Sequence, residues 1–122
     1  MRSYDHPIEV SYRFPAAAVA TAAVLGRVIG PAGASGRVLS LTHIVTTDVT
    51  VAPSVITVDT GVGVTTPVTM TIPVSAANSG GSASDAAIKA GSELPADTVV
   101  EVSSDGGATA GAADISLTIG WF

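Results

Sequence analysis

Asp114-Ile115-Ser116-Leu117-Thr118-Ile119-Gly120-Trp121 decides the fold class of this chain. Apolar side chains occupy every second residue at Ile115, Leu117, Ile119 and Trp121, with Ser116, Thr118 and Gly120 between them. A period of two puts the apolar set on one face of a pleated strand and the hydroxyls on the other, whereas a helix needs a period near 3.6. The segment therefore predicts a strand with one face in a core and one in water.

The same period recurs along the chain. Ile8, Val10, Tyr12 and Phe14 alternate with Glu9, Ser11 and Arg13, predicting a half-buried strand that Pro15 ends. Arg37 to Thr47 predicts a second clear strand, with Leu39, Leu41, His43 and Val45 on one face. Val68, Met70, Ile72 and Val74 alternate with Thr69, Thr71 and Pro73, and the proline marks an edge strand or a strand end. Asp48 to Val58, broken at Ala52-Pro53-Ser54, and Thr98 to Ser103 add further β-type residues. Within Ala16 to Ile29, Ala23 to Ile29 reads as a strand, while Ala16 to Ala22 stays open between helix and strand because its alanines and β-branched residues pull opposite ways.

Turn chemistry separates these runs. Gly30-Pro31-Ala32-Gly33-Ala34-Ser35-Gly36 is a loop joining two strands, and Gly61-Val62-Gly63 and Asp105-Gly106-Gly107 punctuate later. Residues 75–97 read as a surface excursion, with a short helix at Ser84 to Lys89 capped by Ser84 or Asp85. Residues 1–7 read as an N-terminal arm. The sum is one all-β domain over residues 1–122, a β-sandwich, jelly roll or small barrel of about seven or eight strands.

Composition bounds what such a domain can do. Val, Thr and Ile supply 39 of the 122 residues and Ala 20, against 5 Leu and 5 aromatics, so strands are favoured and bulky core anchors are scarce. Each buried side chain then brings little area at roughly 25 cal/mol per Å², and self-association would supply the missing burial. A net charge of −5, with four arginines and Lys89 spread along the chain, repels phosphate backbones and argues against nucleic-acid binding. The first apolar run, Ala16 to Leu25, sits behind Glu9 and Arg13 and is too short for a span of about 20 residues, so neither a signal peptide nor a membrane segment is expected. Synthesis as a soluble cytoplasmic chain is the expectation.

No pattern of catalytic residues emerges. The sequence has no cysteine and two histidines, of which His43 lies on an apolar strand face and His6 in the arm. It has no G-x-S-x-G elbow, no P-loop and no H-E-x-x-H. Asp97, Glu101, Asp105 and Asp114 fall near one another in sequence, yet their spacing matches no calcium loop and they read as solubility charges. The expectation is a protein that is not an enzyme and that carries no cofactor or metal. Of the five aromatics, Tyr12, Phe14 and Trp121 lie on apolar strand faces, which leaves Tyr4 and Phe122 as candidate interface residues.

Three stretches carry a resemblance to a known family: Gly26 to Gly33 followed by Gly36-Arg37-Val38-Leu39, Leu94 to Val99 before Asp105-Gly106-Gly107, and Ala112 to Phe122. In these the chain resembles small β-rich virion proteins of tailed bacteriophages, in particular the decoration, or cement, proteins on the outside of the head. That resemblance implies a sandwich or barrel module, often a homotrimer, that binds where capsomers meet and holds neighbouring major capsid subunits together. It implies a location on the outer capsid surface and the major capsid protein as partner, and it supplies no catalytic residues. A second reading from a different class is a carbohydrate-binding module of a phage fibre or adhesin. That class presents exposed aromatics to sugar faces, and the central loops here have none to offer.

Overall fold

A computed structural model describes residues 8–60 and 65–122 of the chain. The quoted segment lies in β8 (Ala110–Trp121), a central strand hydrogen-bonded on one side to β1 (Ile8–Ala18) and on the other to β3 (Gly36–Thr50). Ala113, Ile115, Leu117 and Ile119 of β8 point into the core while Asp114, Ser116 and Thr118 face outward, as the period requires. A short strand β6 (Gly80–Ser82) closes this sheet, in the order β1-β8-β3-β6. The second sheet holds β2 (Ala22–Val28), β4 (Ser54–Thr60), β5 (Val68–Ile72) and β7 (Val100–Asp105) in the order β2-β7-β4-β5.

Both sheets are antiparallel and pack face to face as an open sandwich of eight strands, not a closed barrel. The pairings β1 with β8, β2 with β7, β3 with β6 and β4 with β5 are those of one long hairpin rolled up on itself, the strand order of a jelly roll. Inward residues of the second sheet, among them Ile56, Val58, Met70, Ile72 and Val102, meet those of β8 and β3. Trp121, Leu41, Leu94 and Leu117 are at most 1% exposed. Full burial of such side chains is worth about 1.5–3 kcal/mol each.

Two strands depart from the sequence expectation, each through a bulge. Pro15 does not end β1. The strand continues to Ala18 across a register shift between Phe14 and Ala17, where Ala16 takes a φ of 47° and its amide turns to the Asp114 carboxylate at 2.7 Å. In β3 the pairing shifts between Val38 and Ser40, which turns Leu39 outward to 40% exposure and lets Val38 and Leu41 both face the core. Leu39 thus leaves the face assigned to it and covers Gly120, where an added methyl would lie 3.2 Å from its Cδ1.

Residues 75–97 hold β6 and a helix α1 (Asp85–Ala90), with the Ser84 side chain accepting the Ala87 amide as N-cap. The stretch is tied to the sandwich at Leu94, which is buried and exchanges two backbone hydrogen bonds with Gly36. The pair Pro67 and Pro73 brackets β5, which is an edge strand as expected. The arm at residues 1–7, with Tyr4 and His6, and the Gly61-Val62-Gly63 punctuation lie outside the described residues.

Candidate interaction surface

The chain crosses the sandwich lengthwise in every long strand, so each end gathers specific turns. One end holds the start of β1, the end of β2, the start of β3 and Trp121-Phe122. The other holds the β1–β2, β3–β4 and β7–β8 turns and the segment after β5.

At the first end the aromatics divide between core and surface. Trp121 is buried, with its ring pressed against Gly30 and Gly36, where an added Cβ would come within 2.5 and 2.6 Å of ring carbons. Tyr12 and Phe14, farther along β1, are half-buried and pack on the core. Phe122 is half-buried as well, and its backbone exchanges two hydrogen bonds of 2.9 Å with Ser35. Ile8 and Ile29 are exposed nearby, Ile29 at 60%, together with Val99.

The polar residues that the sequence offered for chemistry hold the fold together, and the fold keeps them apart. Asp97 accepts the Gly33 amide at 3.0 Å. Glu101 pairs with Arg27 at 3.3 Å on the outer face of the second sheet. Asp105 accepts the amides of Val55 and Gly107, both at 2.9 Å, and these bonds, Val55 first, hold its carboxyl below the usual carboxylate range. Asp114 is lowered likewise, first by the Ala16 amide and then by the Arg13 guanidinium at 2.9 Å. Among the described residues no three His, Asp or Glu side chains gather as a metal site would require.

His43 is 4% exposed between the sheets, with Nδ1 at 3.3 Å from Met70 Sδ and its ring against Gly81. Burial penalises its charged form and lowers its pKa below 6.5. It is a packed core histidine.

An open groove of 390 Å³ runs between the edge strands β1 and β2, lined by Phe14, Ala17, Ala18, Val24 and Leu25 among others. No family model matches the chain, and neither a curated protein nor a solved structure matches it.

The second end carries a feature that sequence reasoning passed over. Val51, on the turn between β3 and β4, is 80% exposed, and Val74, after β5, is 54% exposed. A backbone bridge between Val49 and Ser75 brings the two segments side by side. The only sequence signal was Pro53, which placed residues 52–54 in a turn but said nothing of where Val51 points.

Proposed function

We propose that the chain is a structural virion protein that binds the outside of a phage head and stabilises it by bridging major capsid subunits. A bridging module needs at least two contact surfaces. The observation that carries the reading is that exposed large apolar side chains reach both ends of the sandwich, Ile8, Ile29 and Val99 at one and Val51 and Val74 at the other, besides Val24, Leu39 and Ile44 along its strands. The 12 residues of β8 run between these ends, on the order of 40 Å at about 3.3 Å per residue, so one module reaches two separate neighbours. The sequence resemblance to head decoration proteins and a jelly-roll strand order, which virus capsid domains also use, support the same reading. Self-association, with a homotrimer favoured, supplies further burial to a core built largely of small residues.

Heads prepared with and without the protein test the proposal. Binding only the assembled shell stabilises it by about 2.7 kcal/mol per site at a hundredfold excess over Kd. Heads lacking the protein should release DNA at a lower temperature, and adding it back should restore them. Equal release temperatures, or a glycan array that selects one sugar at micromolar affinity, would overturn the reading. Sedimentation equilibrium checks self-association, with a mass that is a multiple of 12.0 kDa as the expected result.

A further inference from the structure

We propose that the turn joining β3 to β4 is the point at which this module docks on the shell, with Val51 seated in an apolar pocket rimmed by basic side chains. The inference rests on the capsid reading above and gives one of its contacts a chemistry.

Val51 is held out against both solvent and backbone preference. The Ala52 amide bonds back to the Thr50 carbonyl at 2.9 Å, closing a three-residue γ-turn in which Val51 takes a φ of 72°. A β-branched side chain in that region is strained, and glycine would relieve it. The side chain gains no burial in return, since it is 80% exposed. Strain that yields nothing in the free protein points to a residue displayed for a partner.

The turn is also fixed in place before any partner arrives. The Thr50 carbonyl accepts a second bond from the Thr109 amide at 3.1 Å. Asp105 takes the Val55 amide just after the turn, and the Ser54 hydroxyl is bonded to the Val19 carbonyl at 2.8 Å. Val49 exchanges two backbone bonds with Ser75, which keeps Val74 beside the tip. A pre-ordered contact loses little conformational entropy on binding.

Charge selects the partner. Asp48 and Asp105 flank this end of the sandwich. Arg27 and Arg37 lie toward the opposite end, where Glu9, Asp59, Asp97 and Glu101 accompany them, Arg13 sits in mid-strand beside Asp114, and Lys89 is on α1. An apolar tip with an acidic border fits a protein pocket bordered by lysine or arginine, and it is repelled by anionic lipid.

Co-sedimentation with heads stripped of the protein tests this, using the unmodified chain, Val51→Gly, Val51→Asp and, as a control on the outer face of β5, Thr69→Asp. Val51→Gly removes the side chain and relieves the backbone, so it should melt no lower than the unmodified chain yet bind at least tenfold more weakly. Val51→Asp should bind more weakly still, and Thr69→Asp should bind within twofold of the unmodified chain. The unmodified affinity should fall between 50 and 300 mM NaCl, and a salt-independent affinity would remove the basic rim. If Val51→Gly binds within twofold of the unmodified chain, the docking point lies elsewhere while the capsid reading stands. If the unmodified chain does not bind stripped heads, the capsid reading falls and the inference with it. Pelleting of the unmodified chain with phosphatidylcholine vesicles, lost in Val51→Asp, would replace the protein pocket with a lipid surface and overturn the inference.

Discussion

The indole nitrogen of Trp121 donates a hydrogen bond to the phenolic oxygen of Tyr12 at 3.1 Å. Tyr12 is paired with Leu117, four residues before Trp121, so the indole lies back along β8 and locks β1 to it by side chains as well as by the ladder. Its ring fits only because Gly30 and Gly36 lack a Cβ. Gly36→Ala should therefore destabilise the fold by about 1–3 kcal/mol through overpacking. Tyr12→Phe should cost about 1 kcal/mol through the lost hydrogen bond. Urea melts followed by the fluorescence of the single tryptophan measure both, and an unchanged midpoint for Gly36→Ala would show that the ring can move aside.

At the other end, two buried hydroxyls converge on one carbonyl. Ser54 and Ser104 donate to the Val19 oxygen at 2.8 and 2.7 Å, and they accept the amides of Ala108 and Gly106 in turn. Ser54→Ala leaves the buried Ala108 amide without that acceptor, at a cost of about 1–3 kcal/mol. Ser104→Ala should cost less, because the Gly106 amide that it leaves without an acceptor is only partly buried. The double variant should lose more than the sum of the two, since only then is the carbonyl left bare, and denaturant midpoints of the three variants check this.

Stability should fall in two steps as the pH drops, one beginning near 6.5 and one near 3.8. His43 has a folded pKa below its unfolded value of 6.5, so the unfolded chain binds the extra proton first. The contribution of its neutral form is complete above pH 6.5 and is lost as pH falls from there through the folded value. Asp105 and Asp114 are lowered from 3.8, so what they contribute is complete above pH 3.8 and lost only as pH falls through their folded values. His43→Leu should abolish the upper step and leave the lower one. Urea midpoints taken from pH 8 to pH 3 measure both, and an upper step that persists in His43→Leu would assign it to another group.

The fold class was legible because β8, β1 and β5 show their faces in side-chain alternation. Sheet order was not, since it depends on pairings between residues as far apart as Ile8 and Trp121. The bulges escaped for a related reason. Leu39 follows the sequence period but not the structural one, because Val38 and Leu41 together bury better than Leu39 and Leu41 could. The strand β6 carries no signal at all. Gly80, Gly81 and Ser82 pair by backbone with Ile44, His43 and Thr42, and Gly81 is needed there because a methyl would meet the His43 ring at 2.8 Å. Of the candidate surface, Phe122 was readable as an aromatic off the apolar face, whereas the exposure of Val51 arises from a γ-turn that no residue type announces.

Phe122 offers a test of the first end that is independent of Val51. Deleting the residue removes two backbone bonds with Ser35 along with the ring, so a deletion confuses folding with binding. Phe122→Ala keeps both bonds and removes only a half-buried ring, which should cost about 1.5–2.5 kcal/mol, half the penalty of a fully buried phenylalanine. Hydrogen exchange at the Ser35 amide should stay slow in this variant, showing that the backbone pairing survives. If the first end contacts the shell, binding of Phe122→Ala to stripped heads should weaken by more than Tyr12→Phe does at matched stability, because only Phe122 would lie in the contact. Equal weakening of the two would mean that Phe122 acts through the fold alone, and the contact at that end would then rest on Ile8, Ile29 and Val99.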